Sequence, residues 1–177
     1  LGADIEKTAS GDWQVAGVGL HGMISPATPL DLGNSGTGVR LLMGVVAGQN
    51  ITATFVGDAS LSSRPMARIT TPLAAIGASI TSREGQLPVT ITGTPTPMAR
   101  QHQSQVASAQ IKSAILLAGL NARGITEIIE PHASRDHSES MLRYFGADVQ
   151  QNIADDGRHI IRLQGEAELH GRQIVVP

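Results

Sequence analysis

The residues best suited to chemistry fall in two helix starts and two loops. The first helix start is Leu30-Asp31-Leu32-Gly33-Asn34-Ser35-Gly36-Thr37-Gly38-Val39-Arg40, a short strand and a glycine-rich turn leading into a helix to about Gly48. Asn34 or Ser35 can cap that helix, and the small residues let backbone N–H groups approach a ligand closely. Unpaired amides and the positive end of the helix dipole make such a start receptive to anions. The second, Ser108-Ala109-Gln110, matches Asn34, Gly36 and Thr37 in position. Arg64 and Arg135 stand in the loops before the following helices, again at matching places. Arginine binds phosphate and carboxylate through paired N–H···O bonds, so the set predicts a site for such ligands. Each arginine alone reads more simply as a helix cap or a partner of Asp58 or Asp136; the matching positions favour a ligand.

Other candidates are weaker. Lys112 follows Gln110 by two residues, faces elsewhere on the helix, and reads as a solvated or structural lysine. The histidines at 21, 102, 132, 137, 159 and 170 have no helical metal-ligand spacing, so no metal site is expected. His132 and His137 flank Arg135 and read as surface residues. Met43, Met66 and Met141 are expected on helices, filling core gaps. No Ser-His-Asp set and no P-loop lysine motif is present.

The elements that position these residues form an internal repeat. Gly2-Ala3, Gly77-Ala78 and Gly146-Ala147 each follow an apolar residue, as at a helix end. Each leads into two strands joined by a polar turn: Ser10-Gly11-Asp12, Arg83-Glu84-Gly85 or Asp155-Asp156-Gly157. The spacing is roughly 70 residues. Before the second hairpin the pattern predicts a strand at Leu30–Leu32, a helix Gly36–Gly48, a strand Ile51–Val56, a loop through Arg64 and a helix Pro65–Ile76. Pro65 is expected at the helix start, where its missing N–H is harmless. Before the third, it predicts a strand Met98–Gln103, a helix Val106–Leu120, a strand Ile125–Ile129, a loop through Arg135 and a helix His137–Phe145.

The expected fold is thus α/β, of α+β type, with β-α-β-α-β-β units. Residues 1–25 read as the remnant hairpin of a truncated first repeat, 26–95 as the second repeat and 96–170 as the third. Residues 171–177 read as a strand leading onward, so the whole is expected to be one excised lobe.

Composition narrows the function. A net charge of −2 and a pI near 6.3 leave no basic footprint for nucleic acid. No apolar run approaches a membrane span. The absence of cysteine excludes disulfides and thiolate metal ligands and fits a cytoplasmic location. Aromatic residues are limited to Trp13, Phe55, Tyr144 and Phe145, so the core must be built from Ala, Val, Ile, Leu and Met.

Four segments together resemble the 5-enolpyruvylshikimate-3-phosphate (EPSP) synthase family, in particular its class II bacterial branch. They are Leu30–Arg40, Gly57–Met66 (GDASLSSRPM), Ala107–Ala114 (ASAQIKSA) and Ser134–His137 (SRDH). The resemblance covers essentially the whole chain. It implies a two-lobed protein, each lobe of three such units, with helices packed inside and sheets outside. It also implies the shikimate-pathway transfer of the enolpyruvyl group of phosphoenolpyruvate to the 5-hydroxyl of shikimate 3-phosphate, releasing phosphate. The route is addition to a protonated enol, then elimination, and no metal or organic cofactor is required.

Carried over position by position, Gly36, Thr37 and Arg64 would meet phosphoenolpyruvate. Ser108, Ala109 and Arg135 would hold shikimate 3-phosphate, and Gln110 would touch both substrates. Asn34 and Arg40 would shape the loop. The family's N-terminal lysine segment and the acid–base residues of its second lobe are absent from the chain. No catalytic residue is therefore assigned here, the isolated chain is expected to be inactive, and the missing lobe is its expected partner. Glyphosate-tolerant class II enzymes carry alanine where this chain has Gly36, so the resemblance implies glyphosate as an inhibitor. Rival readings are a non-catalytic substrate-binding or complementation module, and a UDP-N-acetylglucosamine enolpyruvyl transferase. The latter typically uses a cysteine acid, and this chain has no cysteine.

Overall fold

The computed structural model describes residues 1–19 and 21–174. Its first hairpin, β1 (Asp4–Lys7) and β2 (Trp13–Ala16), is antiparallel and exposed along both strands. Next come β3 (Leu30–Asp31), α1 (Gly36–Ala47), β4 (Thr52–Val56), α2 (Ala59–Ser62), α3 (Ala67–Ile76), β5 (Ser79–Arg83) and β6 (Gln86–Thr92). The remainder is β7 (Gln101–Gln103), α4 (Ala109–Gly119), β8 (Ile125–Glu130), α5 (His137–Tyr144), β9 (Val149–Ile153) and β10 (His159–Gln164).

Two four-stranded sheets share one topology. Their strand orders are β3-β4-β6-β5 and β7-β8-β10-β9, with the first pair parallel and the others antiparallel. The β-α-β-α-β-β unit therefore occurs twice. Alternation along β6 buries Leu87, Val89 and Ile91 and turns Pro88 and Thr92 outward, the mark of a sheet with one wet face. The helices lie inside. Val39, Met43 and Val46 of α1 pack with Ile69 and Leu73 of α3, and with Ile115 and Leu116 of α4, in one apolar core.

Helix α1 and α4 cross at backbone distance. A Cβ on Gly44 would lie 2.2 Å from the Ala114 carbonyl oxygen, and one on Gly48 would lie 2.6 Å from that of Ala118. Asn121 Nδ2 ties the far end by donating to the Gly48 carbonyl at 2.8 Å. The residue after each last strand repeats the device. Gly93 abuts the Val46 carbonyl and Gly165 the Ala122 carbonyl, with 2.0 and 1.9 Å left for a Cβ. At the apolar-Gly-Ala helix ends, Gly77 (φ +120°) and Gly146 (φ +107°) turn the chain in a conformation that disfavours a side chain.

Several boundaries differ from the sequence reading. Helix α3 starts at Ala67 with Met66 as its cap, so Pro65 precedes the helix instead of opening it. The loop before it holds the one-turn α2, which Asp58 caps through Leu61 N. Helix α4 starts at Ala109 rather than Val106, because Ser108 is extended and its hydroxyl accepts from Ile111 N. Strand β7 is shorter than predicted, with Met98 making only an isolated bridge to Arg123. Met43 and Met66 are fully buried, but Met141 is 46% exposed and fills no core gap. Residues 171–174 are not in a strand, and 175–177 of the strand expected at 171–177 lie outside the described residues. Among the described residues no helix is long and apolar enough to cross a membrane.

The crossing predicts a sharp contrast between two glycines. Gly44→Ala should cost about 3 kcal/mol in urea unfolding, the upper part of the overpacking range, because backbone atoms must move. Gly17→Ala, with open space and no left-handed φ, should leave the midpoint unchanged.

Candidate functional site

The α1–α4 crossing sets two helix starts side by side. Ser35 caps α1 by accepting from Gly38 N. Asn34 is therefore free to bridge the loops: its Nδ2 donates to Asp58 Oδ2 at 2.8 Å, and its Oδ1 accepts from Arg64 Nη2 at 2.5 Å. Arg64 Nη2 also lies 3.3 Å from Ser60 Oγ. Asp58 thus orients Arg64 through Asn34 and does not pair with it directly.

Gly36 is the close-approach point. A Cβ there would lie 2.7 Å from Arg64 Nη1 and 3.2 Å from Arg40 Nη1. Arg40 Nη1 donates to the Gly36 carbonyl at 3.2 Å and to Gln110 Oε1 at 2.8 Å. Gln110 Nε2 in turn donates to Thr37 Oγ1 at 2.8 Å. The Gln110 amide is thereby fixed across the helix pair, oxygen to Arg40 and nitrogen to Thr37. Burial first, then the positive fields of Arg64 and Arg68, lowers the Arg40 pKa from the ordinary arginine value. Among the described residues no carboxylate forms an ion pair with Arg40, Arg64 or Arg68. Such a cluster favours an anion strongly.

Arg135 occupies the other side of Gln110. With Thr37, Ala109, Gln110 and His137 it lines a cavity of about 190 Å³. It also borders a second, open cavity of about 360 Å³ with Ser108, Gln110, His132 and Ser134. Among the described residues Arg135 has neither an ion-pair nor a hydrogen-bond partner, and in particular none in Asp136. The structure therefore gathers Gly36, Thr37, Arg40, Ser108, Ala109, Gln110 and Arg135 around the two helix starts. Arg64 stands behind Gly36, outside the linings of both cavities around Arg135. His132 and His137 are exposed at the cavity edges. No cluster among the described residues could hold a metal ion.

Sequence reasoning missed the support beneath this site. Of the two readings open for Lys112, solvated or structural, the second holds, but its partners were not foreseen: its side chain is 2% exposed, with Nζ 3.2 Å from Glu130 Oε2 and 2.7 Å from Glu139 Oε1. The sequence offered only a partial signal: Lys112 stands near the start of a mostly apolar helix, and a lysine buried there requires carboxylates.

Gly36→Ala tests the close approach. The new methyl meets only the ends of flexible side chains, and alanine favours a helix, so the thermal midpoint should hold or rise. Displacing Arg64 should lower affinity for inorganic phosphate by about tenfold in calorimetric titration, the size of one charge-assisted hydrogen bond.

Comparisons with known proteins supply the family. A sequence model of EPSP synthase (3-phosphoshikimate 1-carboxyvinyltransferase) matches residues 1–177. The curated 3-phosphoshikimate 1-carboxyvinyltransferases of Novosphingobium aromaticivorans and Granulibacter bethesdensis are 54% and 55% identical over the whole of this chain. The chain spans 40% and 39% of their lengths. The solved EPSP synthase of Acinetobacter baumannii superposes with a TM-score of 0.85 at 46% identity, over 96% of this chain and 38% of that one. The enolpyruvyl transferase NikO from Streptomyces tendae shares the fold, with a TM-score of 0.58 at 17% identity over 96% of this chain and 39% of that one. The match of family, relatives and architecture over the full chain shows that it belongs to the EPSP synthase family.

Proposed function

We propose that this chain forms one lobe of an enzyme that transfers the enolpyruvyl group of phosphoenolpyruvate to the 5-hydroxyl of shikimate 3-phosphate. Residues 26–95 and 96–170 are its two complete repeats. One observation carries the reading: the Thr37–Gln110–Arg40 hydrogen bonds join two helix starts, with guanidinium groups on either side that no carboxylate among the described residues pairs. Two anionic substrates that must react side by side need this kind of arrangement.

In this reading Gly36, Thr37 and Arg64 receive phosphoenolpyruvate, and Arg64 takes its phosphate. Ser108, Ala109 and Arg135 receive shikimate 3-phosphate, and Gln110 lies between the two. Asn34 and Arg40 orient Arg64 and Gln110. Protonation at C3 of phosphoenolpyruvate and attack of the 5-hydroxyl on C2 give a tetrahedral adduct. Loss of a proton from C3 and of phosphate from C2 then gives the enol ether. The cationic groups hold the substrates' charges; the proton transfers are assigned to the second lobe of the whole enzyme. Gly36 supports sensitivity of that enzyme to glyphosate.

Calorimetric titration separates the two halves of the site. Arg135→Ala should weaken shikimate 3-phosphate binding by about 10- to 100-fold, the loss of charge-assisted hydrogen bonds, with phosphoenolpyruvate little affected. Arg64→Ala should do the reverse. Equal losses for both ligands in both variants would overturn the assignment. Combining the chain with the remainder of a family member should restore phosphate release from the mixed substrates, whereas a non-catalytic binding module would gain nothing.

A further inference from the structure

Glu130 is the last residue of β8, 1% exposed, and lies beneath both loops that carry the Ser108–Gln110 and Arg135 stretches. Its Oε1 accepts the backbone N–H of Ser108 at 3.0 Å. Both its oxygens accept from Ser134 Oγ at 2.9 Å, one residue before Arg135. One carboxylate thus ties the cap of α4 to the loop before α5. The carboxylate is itself held: Lys112 Nζ lies 3.2 Å from its Oε2, and Glu139 grips the same ammonium at 2.7 Å. Gln151 Nε2 donates at 3.1 Å to Glu139 Oε1, the oxygen that also meets Lys112.

A purely structural ion-pair cluster would link α4, β8 and α5 and stop there. Here the remaining acceptor capacity of Glu130 goes to the two loops instead. A buried carboxylate already paired with an ammonium has a fixed position, so whatever it accepts from is fixed too. We infer that Glu130, set by Lys112, is a positioning residue that holds the Ser108–Gln110 turn and the Ser134–Arg135 loop at the separation needed to grip one anionic ligand between them. In this chain that ligand is shikimate 3-phosphate, a step that rests on the function proposed above. Glu130 acts through Ser108 and Ser134 and does not itself touch the ligand.

Ser134→Ala, Ser134→Thr and Glu130→Gln test this by amide hydrogen exchange and titration. Ser134→Ala removes one tie and leaves the buried ion pairs in place. Exchange at residues 133–136 should accelerate by about tenfold, with the amides of β8 and β10 unchanged. Affinity for shikimate 3-phosphate should fall by about tenfold, and that for phosphoenolpyruvate should stay within about twofold. Ser134→Thr keeps the hydroxyl and should restore both readings. Glu130→Gln should loosen residues 107–110 as well; if it does not fold, the Ser134 pair decides alone. Unchanged exchange at 133–136 in Ser134→Ala, or equal weakening of both ligands, would overturn the inference. Exchange that responds in a protein that ignores shikimate 3-phosphate would uphold the positioning and sink the substrate assignment.

Discussion

The rest of the structure depends on the contact between α1 and α4, which at two positions is backbone against backbone. Gly44 and Gly48 let the helices approach until Ala114 and Ala118 carbonyls fill the space where a Cβ would stand. Because no side chain stands between the backbones at those two glycines, the separation of the helices there has little freedom. Their N-terminal ends inherit that rigidity, which is why Thr37 and Gln110 meet at hydrogen-bond distance although 73 residues separate them. A site that must hold two reacting groups in register gains more from this fixed spacing than from any single strong contact.

Charge is handled in two opposite ways within a short distance. Below the site, Lys112, Glu130 and Glu139 are buried and paired, so their charges are used for geometry. Within the site, Arg40 and Arg64 stand near each other, with Arg68 close enough to act on Arg40, and among the described residues no carboxylate pairs with them; burial works against Arg40 as well. The first arrangement is paired within the protein, with only Glu139 Oε2 left without a hydrogen bond; the second draws its counter-charge from outside. The boundary between the two regimes runs through Ser108 and Ser134, the residues that touch the buried carboxylate and open the binding stretches.

Much of this was legible in the chain. The recurring Gly-Ala helix ends and the alternation of the hairpins exposed the repeat, because the left-handed turns at Gly77 and Gly146 admit few other residues. The repeat then paired Arg64 with Arg135 and Thr37 with the start of α4. Shorter-range features were less visible. The one-turn α2 has too few residues to show a period, and Ser108 competes with the helix as its cap, so α4 begins three residues late. Met141 has helical spacing but falls on the exposed side of α5. The Lys112 cluster joins residues of α4, β8 and α5 that only the packing brings together; spacing shows that Lys112 points away from Gln110 but not what it points toward.

The uncompensated guanidinium groups also make the protein's measured stability a property of its solvent. Any anion that settles beside Arg40 and Arg64 becomes the counter-ion that no described residue supplies, and stabilises the native state by mass action. Phosphate or sulfate in a buffer would act as a silent ligand, whereas chloride at 0.1 M mainly screens charges beyond about 10 Å. Melting points taken in different buffers would then differ without any change in the core.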